Sequence, residues 1–255
     1  MLDVKNIKGA IFDVDDTLLD NQPDSPLGGL HERSRLRALY KIGKTHGYPE
    51  LLEVTPLENR NAFREAKSHT LDAAVWRILY TRGIVQTEDI DMENELLVTI
   101  VNLKDKFHEK VLRREGREVV GATNFVKKLG DRGLKNNMAI ASTAVRRDIN
   151  IFLEMTGLNI YFPEGRIISK EKVTHPKPHP EVFNLAFESL KLPDELRSSV
   201  LAFEDDPRGV ASAKSAGLFT CAITTRYKKE AFASFNIQPD LIADNYLEFE
   251  KFFGL

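Results

Sequence analysis

The chain has 255 residues, of which 29% are charged, and its formal net charge is -2. A chain of this length can bury a large core in one or two domains. The balanced charge provides no general field that would attract nucleic acid or an anionic membrane, so we expect neither as a partner.

The single cysteine, Cys221, excludes an intrachain disulfide and a cysteine-rich metal site, which is typical of a reducing compartment. The first residues lack a basic segment followed by an apolar one, so no secretory signal is predicted. No apolar stretch approaches the roughly 20 residues that cross a bilayer. We therefore expect a cytoplasmic protein, with a monomer favoured.

The first predicted strand, GAIF at residues 9–12, is short and apolar and leads directly into acidic residues. Asp13, Asp15 and Asp16 follow it within four positions. Acidic groups that crowd together at low dielectric repel one another unless a cation lies among them. These carboxylates therefore either face solvent or bind a cation.

A helical insertion is predicted directly after this strand, over residues 23–117. A segment rich in turn-forming residues, QPDSPLGG, precedes the first of its three helical segments, and glycine ends each of the three. These segments span residues 30–47, 57–83 and 92–116.

Strands and helices alternate through the rest of the chain. Four further apolar runs are typical of buried strands: NMAIAST, SVLAFED, FTCAITT and DLIAD. Helical patterns separate most of them: TNFVKKLGDRG, RRDINIFLEMTG, HPEVFNLAFESLKLP and PRGVASAKSAG. This alternation predicts an α/β fold, a doubly wound parallel sheet with helices on both faces, built from residues 1–22 and 118–255.

Polar side chains follow three of the predicted strands. Asp13, Asp15, Asp16 and Thr17 follow the first, Ser142 and Thr143 the second, and Glu204, Asp205 and Asp206 a later one. Lys177 lies between prolines in HPKPHP, just before a predicted helix. Because ligands of parallel sheets bind at the carboxyl ends of the strands, we expect these side chains to converge there.

Such a set of side chains suits phosphoryl transfer. Hard oxygen ligands, few in number and helped by water, favour Mg²⁺. Phosphoryl transfer needs an oxygen nucleophile, a proton donor for the leaving oxygen, and cationic or hydrogen-bonding groups around the phosphoryl oxygens. A carboxylate can serve as that nucleophile.

Four motifs, in this order, resemble the haloacid dehalogenase-like hydrolase superfamily, in its phosphatase and phosphomutase branch: FDVDDTLLD, IAST, HPKPHPEVF and FEDDPRGVASAKSAG. The resemblance covers nearly the whole predicted sheet domain. It implies a Rossmann-like core, an inserted all-helical cap over residues 23–117, and a phosphoric monoester hydrolase.

The resemblance also implies roles for individual residues. Asp13 is the expected nucleophile, and Asp15 is the expected general acid and base, which also offers its backbone carbonyl to the metal. Lys177 is expected to neutralise charge shared by Asp13 and the phosphoryl oxygens. The implied phosphate-binding set is Thr17, Ser142, Thr143 and Lys177, and the implied Mg²⁺ ligands are Asp13, Asp15, Glu204 and Asp205.

Two positions depart from the family pattern, and other interpretations stay open. Asp16 replaces the usual glycine of D-x-D-G-T. Asp206 replaces the usual serine, which leaves open which of the three neighbouring acids meets the metal.

Ser142 and Thr143 could also cap the following helix. His175 and His179 are expected to be loop residues rather than ligands, because an oxygen site needs no imidazole.

We therefore expect a Mg²⁺-dependent phosphatase that hydrolyses a small phosphorylated metabolite, by default a sugar or polyol phosphate, through an aspartyl-phosphate. A phosphomutase of the β-phosphoglucomutase type is the alternative, since it uses the same residues. A phosphorylation switch or a ligand-binding descendant is more remote. A haloacid dehalogenase is disfavoured, because that chemistry needs neither a second acid at Asp15 nor a metal.

Overall fold

A computed structural model describes residues 6–22, 24–68, 70–233 and 237–255. Pro23, where the predicted insertion begins, lies outside these residues. The chain divides into two compact units. The first combines Met1–Asp20 with Arg117–Leu255, and the second is Asn21–Gly116.

The first unit contains the parallel sheet. The strands of the described residues are β1 (Gly9–Phe12), β2 (Leu19–Asp20), β3 (Arg117–Glu118), β4 (Met138–Ala141), β5 (Ile167–Ile168), β6 (Val200–Glu204), β7 (Phe219–Ile223) and β8 (Leu241–Ala243). Six of them form a sheet in the order β5-β4-β1-β6-β7-β8, and all of its neighbouring pairs are parallel. The predicted α/β fold with a doubly wound parallel sheet is confirmed.

The helices of the described residues follow the predicted alternation. They are α1 (Leu30–His46), α2 (Pro56–Glu65), α3 (Leu71–Thr81), α4 (Glu95–Glu115), α5 (Ala122–Leu129), α6 (Arg146–Thr156), α7 (Glu181–Ser189), α8 (Pro207–Ser215), α9 (Lys229–Ala233) and α10 (Tyr246–Phe253). The first four belong to the second unit and the others to the first.

Both faces of the sheet are buried. Successive side chains of β1 point to opposite faces, so neighbouring residues show what packs on each face. Ile11 packs in an apolar cluster with Val182 and Phe183 of α7. Phe12, the next residue, stacks on Phe203 of β6 with ring centroids 4.7 Å apart. Phe203 in turn contacts Phe249 of α10 at 5.3 Å. Helices therefore cover the sheet on either side.

The central position of β1 sets the location of the polar residues. Phe12 is in register with Ile140 of β4 on one side and with Phe203 of β6 on the other. The carboxyl ends of these three parallel strands therefore lie side by side. The backbone N–H of Asp13 continues the ladder and donates to the carbonyl of Phe203 at 3.0 Å.

The second unit has its own apolar core. Trp76 is buried among aliphatic residues of α1, α3 and α4, such as Leu39 and Leu97. Its indole Nε1 donates to the carbonyl of Thr87 at 3.0 Å. A buried tryptophan requires such a partner, because an unpaired donor away from water is costly.

The prediction of one helical segment over residues 57–83 is wrong in one respect, because this segment contains two helices. Thr70 breaks it, since its side chain accepts the N–H of Ala73 and caps α3. Threonine favours such capping positions because its hydroxyl satisfies an N–H that the helix leaves unpaired. The short strands β2, β3 and β5 were also not predicted, since two residues show no periodicity.

Within the described part of the chain, no helix combines the length and the apolar character that a membrane span requires.

Candidate active site

Three carboxylates meet where β1 and β6 end. Asp13 follows β1, Glu204 is the last residue of β6, and Asp205 follows it. Their side chains are buried, with 5%, 1% and 3% of the residue surface exposed. One ligand oxygen from each lies within 4.8 Å of the others. Asp13 and Asp205 are 192 positions apart in the sequence, and the register of the neighbouring strands β1 and β6 brings them together as predicted.

Lys177 reaches the same place from the loop before α7. Its ammonium Nζ donates to Asp13 Oδ1 at 2.7 Å, to Glu204 Oε1 at 2.5 Å and to the carbonyl of Ala141 at 3.0 Å. All three donors of the ammonium group are used. Burial lowers the pKa of Lys177, but the charges of Asp13 and Glu204 outweigh this and raise that pKa above its usual value. The lysine is therefore a fixed cation.

One lysine does not balance the three acids. Burial raises the pKa of Glu204 to about 8, although Lys177 lowers it. Burial also raises the pKa of Asp13, against the opposing effects of Lys177 and of a hydrogen bond from Ser142. The pKa of Asp205 is raised well above its usual value by burial and by the charges of Asp16, Glu204 and Asp13. With all three carboxylates ionised, the pocket would carry more negative charge than Lys177 compensates, which is why burial and mutual repulsion raise these pKa values.

The two carboxylate oxygens of Asp205 have different surroundings. Its Oδ1 accepts the hydroxyl of the fully buried Thr17 at 3.1 Å. Its Oδ2 is buried and has no hydrogen-bond partner in the described residues. A buried carboxylate oxygen without a partner is costly unless a ligand satisfies it. Together with the surplus negative charge, this oxygen fits a hard divalent cation bound by the carboxylates.

The neighbouring Asp206 has a different environment. It caps α8, because its Oδ1 accepts the N–H of Arg208 at 2.8 Å. The Arg208 guanidinium also donates to its Oδ2 at 2.8 Å. Burial alone would raise the pKa of Asp206, but these contacts with Arg208 lower it. Both oxygens are thus occupied by a helix terminus and an ion pair, which favours Asp205 over Asp206 as a metal ligand.

Asp16, at the usual glycine position, adopts a left-handed backbone conformation with φ of 57°. Aspartate is among the few residues other than glycine that tolerate this region. The hydroxyl of Thr225 donates to its carbonyl oxygen, and Arg226 Nη1 lies 4.0 Å from its Oδ2. Arg226 also lowers the pKa of Asp205 and was not found by sequence reasoning. It follows β7, so the only sequence signal was its place after a predicted strand.

The remaining predicted site residues lie near these acids in the chain or in the sheet. Ser142 is buried after β4, and its hydroxyl accepts the N–H of Ala144 at 3.2 Å. Thr143 is exposed, and Asp15 is half-buried. The alternative that Ser142 and Thr143 cap the next helix is wrong, because α6 begins only at Arg146 after the N-cap residue Val145.

Gly209 is a further residue that sequence reasoning missed. It lies in the first half of α8, and a Cβ atom at this position would come 2.1–2.2 Å from the Glu204 carboxylate. The Glu204 carboxylate would therefore have to move away if any side chain replaced this glycine. The only signal in the sequence was a glycine within a helical pattern, which often marks close packing.

The chain matches the model of the haloacid dehalogenase-like hydrolase family over residues 7–217 and belongs to this family. This confirms the predicted family. The predicted enzyme class, a phosphoric monoester hydrolase of this type, is supported by relatives that are named phosphatases.

Two curated relatives illustrate the range of activities named among similar proteins. Phosphoglycolate phosphatase from Vibrio cholerae serotype O1 is 24% identical over 243 residues, which covers 95% of each chain. Pyrophosphatase PpaX from Oceanobacillus iheyensis is 29% identical over 109 residues, 43% of this chain and 48% of the relative. The second match thus spans about half the length of that relative.

Solved structures agree in fold. A HAD hydrolase of family IA, variant 3, from Entamoeba histolytica superposes with a TM-score of 0.73 at 18% identity, covering 97% of this chain and 98% of the other. CbbY from Rhodobacter sphaeroides in complex with phosphate gives a TM-score of 0.65 at 20% identity, covering 95% and 96%. At these identities the likeness concerns the fold alone.

Proposed function

We propose that this protein is a Mg²⁺-dependent phosphatase that hydrolyses a small phosphorylated metabolite through an aspartyl-phosphate at Asp13. The observation that carries this function is the buried cluster of Asp13, Glu204 and Asp205 around the ammonium group of Lys177. Catalysis of phosphoryl transfer is mostly positioning and electrostatic stabilisation, and this cluster supplies both an oxygen nucleophile and a fixed positive charge.

The first half of the reaction uses Asp13, Lys177 and Asp15. Lys177 orients the Asp13 carboxylate and reduces its repulsion of the incoming phosphoryl group, while Ser142 donates a hydrogen bond to that group. The carboxylate of Asp13 attacks phosphorus, the bond from phosphorus to the leaving oxygen breaks, and Asp15 gives its proton to that oxygen.

In the second half, Asp15 acts as the base. It takes a proton from a water molecule, which attacks the phosphorus of the aspartyl-phosphate. The bond between phosphorus and the Asp13 oxygen breaks, so inorganic phosphate leaves and both carboxyl groups return to their initial states.

The proposed metal ligands are Asp13, Asp205 and the backbone carbonyl of Asp15, with Glu204 directly or through water. When bound there, Mg²⁺ would stabilise negative charge on the phosphoryl oxygens. Two observations support this assignment: Asp205 Oδ2 has no hydrogen-bond partner among the residues that the structure describes, and burial with three other acids raises the pKa of Asp205.

The helical unit is proposed to act as a substrate-selecting cap, with the sequence-based bounds of residues 23–117. In the sequence this unit is inserted between β2 and β3, two short strands that pair antiparallel. An ion pair between Arg117 and Asp20, 3.0 Å long, joins these strands. An insertion with its own core can vary without disturbing the catalytic sheet, which suits a role in substrate choice.

A phosphate-release screen tests the proposed activity. Purified protein is incubated with Mg²⁺ and a panel of sugar phosphates, polyol phosphates, phosphoglycolate and pyrophosphate, with the Asp13→Asn variant as the blank. We expect inorganic phosphate from at least one small monoester, and none in EDTA. Conversion of a sugar phosphate to an isomer or a bisphosphate without free phosphate would instead identify a phosphomutase. No turnover of any compound would contradict both.

A further inference from the structure

A second group of metal-binding side chains lies on the surface of the first unit, in the loop before α7. His175, His179 and Glu181 each offer one ligand atom, and these atoms lie within 4.8 Å of one another. The two imidazole rings face each other obliquely, with centroids 4.6 Å apart. Both histidines are exposed, so the group is open to solvent.

Hydrogen bonds already fix the carboxylate of this group. Glu181 Oε1 accepts the backbone N–H of Thr174 at 3.0 Å, and Oε2 accepts that of His175 at 2.7 Å. The ring nitrogen Nδ1 of His175 lies 2.9 Å from the same Oε2. A carboxylate has about four acceptor positions, so these contacts leave it capacity for a cation.

The backbone of His179 is fixed as well. Its carbonyl oxygen accepts the hydroxyl of Ser212 at 2.7 Å, which ties this end of the loop to α8. Its backbone N–H donates to the carbonyl of Pro176 at 3.0 Å. A fixed backbone at His179 and a hydrogen-bonded carboxylate at Glu181 reduce the entropy that these residues lose on binding a metal, and such supporting contacts raise metal affinity.

Imidazole nitrogens favour metals different from those that bind in a carboxylate pocket. Zn²⁺ and related transition metal ions prefer sites with histidine, whereas Mg²⁺ prefers oxygen alone. We propose that His175, His179 and Glu181 form a surface site for a divalent transition metal ion of the Zn²⁺ class, separate from the carboxylate site around Asp13. Three protein ligands leave a coordination position for water.

The site would restrain the loop that carries Lys177. His175 and His179 lie two residues before and two residues after this lysine, and Lys177 donates to Asp13 at 2.7 Å. A metal ion bridging both histidines would reduce local opening of this segment, because opening would break its coordination bonds. Occupancy should therefore slow amide hydrogen exchange across residues 174–181.

The direct test is a Zn²⁺ titration by calorimetry in excess Mg²⁺, which occupies the hard oxygen ligands. We expect one Zn²⁺ per chain, an affinity about tenfold or more lower in His179→Ala, and no binding at this site in the double variant His175→Ala/His179→Ala. His46→Ala is the matched control, because His46 is an exposed histidine at the end of α1 with Thr45 as its neighbour. It should bind Zn²⁺ like the unaltered protein.

Two further readouts distinguish this site from adventitious binding. Co²⁺ should give visible absorption bands typical of nitrogen ligation, and the double variant should lack them. Hydrogen exchange of residues 174–181 should slow in Zn²⁺ for the unaltered protein alone. Equal Zn²⁺ affinity in the double variant, or no Zn²⁺ binding by the unaltered protein, would overturn the assignment. Neither measurement involves turnover, so the outcome is independent of the proposed phosphatase activity.

Discussion

Two regions of the molecule bury charged side chains in contrasting ways. In the helical unit, Arg35 is 1% exposed, and its guanidinium donates to Oδ1 and to the carbonyl oxygen of Asn59, both at 2.6 Å. The Asn59 side-chain amide donates in turn to the carbonyl of Glu32 at 2.8 Å. In the sheet unit, buried carboxylates crowd around Lys177, and one oxygen of Asp205 has no described partner.

The difference separates a structural charge from a functional one. Burial lowers the pKa of Arg35 to about 10, against the charge of Glu32, so the guanidinium stays ionised at neutral pH. Its hydrogen bonds join α1 to α2 and need nothing else. The carboxylates repel one another and are left incomplete, an arrangement that folding alone does not favour and that a bound cation and a phosphoryl group would complete.

The largest expected effect comes from removing the proposed nucleophile. Asp13→Asn should lower kcat by about 10³-fold or more, because the nearly isosteric amide is a poor nucleophile and a weaker metal ligand. Circular dichroism and thermal unfolding should show an intact fold. Phosphatase activity within about tenfold of the unaltered protein would remove Asp13 from its proposed role.

Asp15→Asn should lower activity by about 10²–10⁴-fold, because proton transfer to the leaving oxygen is lost. The defect should depend on the leaving group. An aryl phosphate has a good leaving group and needs little protonation, so its kcat/KM should fall less than that of an alkyl phosphate. Equal losses for both substrates would contradict the acid role.

Gly209→Ala tests whether the cluster depends on close packing beneath Glu204. Alanine in a helix is usually more stable than glycine by about 1 kcal/mol, but here its Cβ would collide with the Glu204 carboxylate. We expect lower phosphatase activity and weaker response to Mg²⁺. Gly165→Ala is the control, since a Cβ at Gly165 meets nothing within 4 Å. Equal activity in both variants would mean that Glu204 can move without consequence.

The sequence was sufficient to predict the fold class, because five apolar runs with intervening helical patterns leave few alternatives to a parallel sheet. It also placed Asp13, Lys177 and Glu204 in one region, since strand ends of a parallel sheet converge. It could not identify Arg226 or the clearance at Gly209. Both depend on the register and spacing of β6, β7 and α8, which apolar periodicity does not encode.

The same limit applies to the neighbouring acids Asp205 and Asp206. Two adjacent aspartates after a strand look alike in the sequence, and only the position where α8 begins makes one of them a helix cap. For His175 and His179 the sequence likewise predicts only a place in a loop. Their proximity to Glu181 depends on a turn that brings its carboxylate back to Thr174.

Asp205→Asn and Asp206→Asn form a matched pair that tests this distinction. Asp205→Asn should raise the Mg²⁺ concentration needed for half-maximal activity sharply, because it replaces a proposed carboxylate ligand, whose Oδ2 has no partner in the described part of the chain, by a neutral amide. Asp206→Asn should change it little, since asparagine is also a good N-cap and Asp206 is occupied by Arg208. Activity measured over a range of Mg²⁺ concentrations gives both values. The reverse ranking would move the proposed metal ligand by one residue.

The last comparison concerns stability rather than catalysis: Arg35→Met and Asp205→Asn are each compared with the unaltered protein in the absence of Mg²⁺. Arg35→Met removes the donors that satisfy two buried oxygens of Asn59, so the free energy of unfolding should fall by about 2–4 kcal/mol. Asp205→Asn removes an acid whose ionisation is opposed by burial and by the neighbouring carboxylates, so the metal-free protein should become more stable at neutral pH. Urea unfolding in EDTA measures both changes. If Asp205→Asn also destabilised the metal-free protein, the acidic cluster would be a satisfied structural network like that of Arg35, and its surplus charge would no longer indicate a cation site.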